Sequence, residues 1–270
     1  MNELYSICWN ITNKCNENCK FCYRKMCNDN SLEENKKIFD NISKIKIDKI
    51  TFSGGEPLLY ESLFELANYI KQKNSQIKLS ITTNGQLIDE DIFNKILNTF
   101  DWISFSIDSS DININDEIGR GKKHLKNIIN LLDKFNGKIK LKINTVATKY
   151  NIADLENIYN IISKYQINRW KIFRFYPLRR GKENENLFYL NESESQLVEE
   201  YALRKQRENS KIKIHYNNLS EFTTSYFNIY PDGSVENSKD ENIGNLLCDD
   251  ISTILDIKQK ELVNHSLRKN

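Results

Sequence analysis

No long hydrophobic run occurs in the chain; its apolar stretches are strand-sized pieces such as "WISFSI". None approaches the roughly 20 residues that a membrane-spanning helix needs. A signal-peptide pattern is missing too, because "MNELYSICWN" has no basic start followed by an apolar core. No amphipathic anchor helix precedes the first predicted strand. Charge of one sign is not in excess: 39 Lys and Arg against 37 Asp and Glu leave +2, far short of a surface that coats nucleic acid. Evenly spread cysteines are absent as well. Of six, three fall within eight residues, a pattern of metal binding or redox chemistry and not of a disulfide framework. These absences, with 39% hydrophobic and 28% charged residues, predict an ordinary cytoplasmic protein, monomeric, with neither a membrane nor a nucleic-acid partner.

What is present is a rhythm. "LYSICWNIT", "KITFSGG", "IKLSITTNG", "WISFSIDSS", "KIKLKINTVAT" and "RWKIFRFYP" read as strands. Between them lie helical patterns: "SLEENKKIFDNISKI" with Ser31 as N-cap, 58–73, 89–99, "GKKHLKNIINLLDKF" and 152–165. Strands alternating with helices make parallel βαβ units. Six of them predict an α/β fold, a partial (β/α)6 barrel with a C-terminal extension. The barrel is placed at 1–180 and the extension, completing the substrate pocket, at 181–270. In the extension "GKENENLF" reads as a loop, "NESESQLVEEYALRKQ" as a helix and "SYFNIYPDGSVEN" as a hairpin turning at Pro231-Asp232-Gly233. Sites in such folds gather at the C-terminal ends of the strands.

The loop after the first strand carries Cys15, Cys19 and Cys22 in a C-x3-C-x2-C spacing, without a fourth ligand. Three thiolates on a four-iron four-sulfur cluster leave one iron open, and an open metal position is a place for chemistry. The amine and carboxylate of S-adenosylmethionine suit that position. The alternative is a zinc site completed by Cys27, His124, His215 or His265, although the spacing differs from paired C-x2-C knuckles. Cys8 and Cys27 read as small apolar fillers, and His124 and His265 as surface helix residues. Further on, Arg120, Lys122 and Lys123 surround Gly119 and Gly121 before a helix, a candidate phosphate cradle. Lys142 and Asn144 share one strand face, as do Arg169 and Lys171, because alternate residues do. Cations facing inward are costly without anions, so the set points to a polyanionic ligand.

Cys15, Cys19, Cys22 and the intervening Phe21, in the pattern C-x3-C-x-Φ-C, resemble the radical S-adenosylmethionine superfamily over residues 1 to about 176. The resemblance implies that the "SGGEP" turn (Gly54, Gly55, Glu56), Asn84 of "TTNG", and Ser106 and Asp108 of "SFSIDS" hold S-adenosylmethionine. "KITFSGGEP", "IGRGKK", "KINTVATKYN", "RWKIF" and "SYFNIYPDG", in that order, resemble the viperin-like family through about Asn237. By matching motif, Lys49 and Ser53 line a nucleotide pocket, while Lys142, Asn144, Arg169 and Lys171 bind triphosphate. Tyr226 matches an aromatic near the substrate, and Lys142 and Tyr226 are the catalytic assignments. Cys8 and Asn10 depart from two polar pocket residues of the family, and Arg174 from a glutamine. The likeness implies a nucleoside triphosphate substrate and an external one-electron reductant. It also implies hydrogen removal from ribose C4′ with loss of water, giving a 3′-deoxy-3′,4′-didehydro nucleotide used in antiviral defence. Two other readings stand beside it: a peptide-modifying enzyme of the same superfamily, and a non-catalytic iron–sulfur or zinc interaction module.

Overall fold

Capping and alternation set the elements. Ser31 begins the first helix with a capping box: its hydroxyl accepts from Glu34 N, and the Glu34 carboxylate accepts from Ser31 N at 2.8 Å. Asp89 caps another by accepting from Ile92 N at 2.8 Å. The computed structural model describes residues 5–208, 211–218, 227–237 and 240–258. In chain order these form β1 (Tyr5–Thr12), α1 (Leu32–Ile42), β2 (Ile47–Gly54), α2 (Leu63–Lys73), β3 (Lys78–Thr83), α3 (Glu90–Thr99) and β4 (Trp102–Ser106). There follow α4 (Ile112–Glu117), α5 (His124–Phe135), β5 (Lys140–Ala147), α6 (Leu155–Ile162), β6 (Ile167–Arg174), α7 (Arg180–Glu183) and α8 (Glu185–Phe188). The last are α9 (Glu192–Glu208), β7 (Lys213–Asn217), β8 (Phe227–Ile229), β9 (Ser234–Glu236) and β10 (Asn242–Asn245), with residues 251–258 also helical. None of the described helices is long and apolar enough to cross a membrane.

Two compact units emerge, each discontinuous in sequence: Met1–Lys14, Met26–Leu79 and Thr223–Asn270 in one, Cys15–Lys25 and Ser80–Phe222 in the other. These bounds differ from a cut at 180. In the first unit β1 runs parallel to both β2 and β8, and β9 is antiparallel to β8 and β10. Its buried face carries Ile7, Trp9, Ile11, Ile50 and Phe52, with the Trp9 and Phe52 rings stacked 5.9 Å apart. The expected hairpin at Pro231-Asp232-Gly233 is β8–β9, and Gly233 supplies its positive φ of 79°.

In the second unit β3, β4, β5, β6 and β7 are all parallel neighbours. One face is apolar and buried: Ile103, Phe105, Leu141, Ile143, Trp170 and Ile172. The stripe of α5, with Ile128, Leu131, Leu132 and Phe135, is buried too.

The α/β class and parallel βαβ units expected from the sequence are there, with several departures. β7 is a strand beyond the six predicted, and β8 joins β1 in parallel. The helix expected at 58–73 is split into a 3-10 turn at Pro57–Leu59 and α2, because Pro57 at the first helical position and the Glu56 carboxylate, accepting from Leu58 N at 3.2 Å, begin a separate turn. "GKENENLF" is not a loop but α7 and α8. Phe188 there is 1% exposed and packs with Cys19, Phe21, Ile118 and Phe175, so the segment is ordered by its own apolar anchor.

Candidate active site

In the first unit, the turn after β2 approaches the end of β1 backbone to backbone. Gly55 N donates to Thr12 O and Glu56 N to Lys14 O, both at 2.7 Å. A Cβ on Gly55 would stand 2.0 Å from Lys14 O, and one on Gly54, whose φ is 129°, 2.4 Å from Thr12 O. Only glycine fits here. Glu56 is buried and caps the next turn. On the adjoining strands Ser53 Oγ donates to Asn10 Oδ1 at 3.0 Å and lies 3.3 Å from Cys8 Sγ. Asn10 Nδ2 donates to Ile229 O at 3.2 Å. Cys8, Asn10 and Ser53 thus form one polar chain. Lys49 is half-buried, in register with Ser6. Tyr226 lies outside the described residues.

In the second unit, Cys15, Cys19 and Cys22 lie on one loop, none of them in a disulfide. Glu17 N points to Cys15 Sγ and Arg24 N to Cys22 Sγ, each at 3.5 Å, the kind of backbone donor that tunes cluster sulfurs. Burial pushes the Cys19 thiol up, against the pull of the Arg120 guanidinium. Among the described residues no three His, Cys, Asp or Glu converge to hold one ion. A four-iron cluster makes a different demand, one thiolate to each iron. Three soft donors spread along an eight-residue loop fit it.

The loop is strapped from outside. Gly181 N donates to Cys22 O at 3.2 Å, Asn184 Nδ2 to Lys20 O at 3.1 Å, and Arg179 Nη1 to Tyr23 O at 2.8 Å. Arg180 also bonds Asn18. Phe21 is buried, edge-on to Phe188 with centroids 5.9 Å apart.

Glu17, inside the cysteine loop, is the hub that sequence reasoning missed. Its side chain is 2% exposed. It accepts from Arg120 Nη1 at 2.7 Å and from Gln86 Nε2 at 2.8 Å, and faces His124 Nδ1 at 3.1 Å. Burial alone would raise its pKa, but the His124 bond and the Arg120 charge hold it at about 2. Arg120 Nε also donates to Asp108 Oδ2 at 2.8 Å, and His124 Nε2 lies 2.8 Å from Ser106 O. Two bridges therefore tie the cysteine loop to the end of β4. Arg120 is engaged by these two carboxylates. Lys122 is exposed, 3.8 Å from Asp116, and Lys123 is exposed at the start of α5. His124, expected at the surface, is buried. Asp108 is 1% exposed and also accepts from Val146 N at 2.8 Å. Asn84 Nδ2 donates to Asn16 Oδ1 of the loop at 2.7 Å.

Lys142, Asn144, Arg169 and Lys171 are brought together. Ser104, Lys142 and Arg169 are register partners across β4, β5 and β6, and Ser106, Asn144 and Lys171 form the next row. They alternate with the buried apolar residues, so the rows share the opposite face. Lys142 and Lys171 approach the Phe173 ring at 5.8 and 5.6 Å, and Arg169 the Trp102 ring at 5.8 Å. Ser104 Oγ and Asn144 Oδ1 are buried without a hydrogen-bond partner. Arg174 is not part of this face. It bonds Leu190 O and Glu192, both at 2.7 Å.

Residues 9–162 match the Radical SAM superfamily. An S-adenosylmethionine-dependent nucleotide dehydratase of Selenomonas ruminantium is 31% identical over 275 residues, covering 93% of this chain and 94% of that protein. One of Lacinutrix mariniflava is 32% identical over 204 residues, or 68% of this chain, and the match spans only 41% of that longer protein. Among solved structures, Streptococcus suis SuiB bound to S-adenosylmethionine superimposes with a TM-score of 0.77 at 16% identity, covering 93% of this chain and 65% of SuiB. That likeness shows the fold. The cysteine loop, the glycine turn and the near full-length match to a relative together show that the chain belongs to the radical S-adenosylmethionine superfamily and, within it, to the S-adenosylmethionine-dependent nucleotide dehydratases.

Proposed function

We propose that the substrate is a nucleoside triphosphate and that the enzyme converts it to the 3′-deoxy-3′,4′-didehydro form by hydrogen removal at C4′ and loss of water. The observation that carries this is the double row of Lys142, Asn144, Arg169 and Lys171, with the partnerless Ser104 Oγ beside it. Basic groups gathered in register on one face suit a polyanion, and the buried Ser104 Oγ and Asn144 Oδ1, without a hydrogen-bond partner, ask for a ligand.

Cys15, Cys19 and Cys22 would hold the cluster. Gly54, Gly55, Glu56, Asn84, Ser106 and Asp108 are the positions assigned to S-adenosylmethionine. When bound, these groups supply a one-electron cleavage that delivers a primary carbon radical. The protein's own residues bind, orient and exclude water. The rows grip phosphate so that the ribose lies still, because a misplacement of about 1 Å costs on the order of a hundredfold. Arg169 grips two oxygens with its planar fork, and Lys171 and Lys142 act as point charges. Lys142 and Tyr226 keep the catalytic assignments, with Lys49 and Ser53 toward the nucleoside. A one-electron reductant from outside supplies one electron for the radical cleavage and a second, with a proton, that completes the loss of the 3′-hydroxyl as water. The enzyme acts as a cytoplasmic monomer, away from membranes, and its product serves antiviral defence.

The test is a panel. Reconstituted protein, S-adenosylmethionine and dithionite are mixed anaerobically with each common triphosphate, diphosphate and nucleoside, following 5′-deoxyadenosine and modified nucleotide together. At least one triphosphate should stimulate both products, and Arg169→Ala or Lys171→Ala should lose the stimulation while keeping iron. Equal stimulation by nucleoside and triphosphate removes the reading.

A further inference from the structure

The phosphate-facing rows do not stop at β6. β7 continues the register: Lys213 pairs with Arg169 and His215 with Lys171. The intervening Ile214 and Tyr216 are buried. Tyr216 Oη lies 2.7 Å from Ser195 Oγ of α9, which fixes that side of β7 against the helix. Alternation then places Lys213 and His215 on the face of Lys142, Arg169 and Lys171. The rows therefore read Ser104, Lys142, Arg169, Lys213 and Ser106, Asn144, Lys171, His215. Adjacent strands stand about 4.8 Å apart, so basic groups recur at that interval across three strands.

Exposure changes along the rows. Ser104 is fully buried, Lys142, Asn144, Arg169 and Lys171 are half-buried, and Lys213 and His215 are exposed. The reacting end is the β4 end, because Glu17, Arg120 and His124 tie the cysteine loop to Ser106 and Asp108 there. A phosphate chain running from the reacting sugar along the rows meets β5 first, then β6, and ends over β7.

Resting on the nucleotide reading above, we propose that Lys213 and His215 take the terminal phosphate and are the residues by which this enzyme distinguishes triphosphate from diphosphate. A diphosphate would fill the β5 and β6 contacts and leave β7 empty. A charge-assisted contact to phosphate is roughly twice as strong as a neutral one, so its loss shows in KM.

The holoenzyme and its Lys213→Ala, His215→Ala and double variants are assayed with triphosphate and with the matching diphosphate. Binding of the triphosphate is also measured directly, by equilibrium dialysis without reductant. The double variant should raise KM and the dialysis constant for triphosphate by about tenfold to a hundredfold. Its diphosphate values should stay within about twofold, with iron content and kcat at saturation unchanged. Lys213→Arg should restore most of the triphosphate affinity. Lys140→Ala, at the far end of β5, should change nothing and controls for simple loss of charge. If wild type responds to triphosphate and the double variant matches it, or loses both nucleotides equally, the β7 assignment fails alone. If wild type responds to no nucleotide, the proposed function fails and this assignment with it.

Discussion

Replacing Glu17 by leucine removes a carboxylate that is 2% exposed and held by Arg120, His124 and Gln86. Breaking a buried ion pair by deleting one partner costs about 3–5 kcal/mol, because the other charge is left uncompensated. Arg120 here keeps its second carboxylate, Asp108 at 2.8 Å, which places the expected loss at the low end, about 3 kcal/mol. Glutamine retains the shape and an acceptor but not the charge, so Glu17→Gln should cost about 1 kcal/mol. At about 2–4 °C per kcal/mol for a chain of this size class, Glu17→Leu should melt roughly 6–12 °C below wild type and Glu17→Gln about 2–4 °C below. The assay is thermal unfolding of the reduced apoprotein by circular dichroism. Iron uptake provides a second readout. With the tie from the cysteine loop to β4 cut, Glu17→Leu should take up less iron than Glu17→Gln. A double-mutant cycle with His124→Ala should be sub-additive, because the two side chains share one network. If Glu17→Leu melts within about 1 °C of wild type, a value inside the range of ordinary surface changes, Glu17 is not a buried partner of Arg120 and the two bridges do not hold the loop.

Three further outcomes are expected. Cys15→Ala, Cys19→Ala or Cys22→Ala should each lose the iron–sulfur chromophore, whereas Cys27→Ala and Cys248→Ala should keep it; normal iron in Cys19→Ala contradicts the cluster assignment. Gly55→Ala would drive a Cβ to 2.0 Å from Lys14 O, and backbone cannot yield as a side-chain tip does, so it should cost about 1–3 kcal/mol or more, read as a lowered Tm; an unchanged Tm denies the close approach. Asp154 accepts from Ser109 Oγ at 2.8 Å, from Ser110 N and Oγ, each at 2.5 Å, and from Asn157 Nδ2 at 2.9 Å. Burial pushes its pKa up, yet these bonds win and hold it below the ordinary aspartate value. A depressed carboxylate stabilises above its unfolded pKa and loses that contribution as pH falls through the folded value, so wild type should lose stability below about pH 4 more steeply than Asp154→Asn; parallel curves refute this.

Short-range signals were the legible ones. The strands from β1 to β6 are bounded by turn residues and carry alternating or continuous apolar runs, and Ser31 and Asp89 cap helices as their residue types suggest. The three cysteines announce themselves because ligand spacing is local. β7 escaped because "KIHYNN" is short and mostly polar, and its strand character comes from pairing with β6. α7 and α8 escaped because "GKENENLF" has a polar composition, and what orders it is tertiary: the buried Phe188 and the hydrogen bonds of Gly181 and Asn184 to the cysteine loop.

The basic residues show where a sequence argument about charge divides. Arg120, Lys142, Arg169 and Lys171 look alike in sequence: each is a cation near a glycine turn or on a strand that needs an anion if buried. For Arg120 the anion is internal. It is Glu17, 103 positions away, with Asp108 beside it, and only the fold brings the three together. Nothing in the "IGRGKK" loop distinguishes a guanidinium claimed by two carboxylates from one awaiting phosphate. On β5 and β6 the alternation itself carries the information, because two consecutive rows of polar residues aligned in register can face only one side. That is why the strand cations support a ligand-binding assignment and the loop arginine supports a structural tie. The same reasoning extends to β7, whose register could be known only once its pairing with β6 was seen.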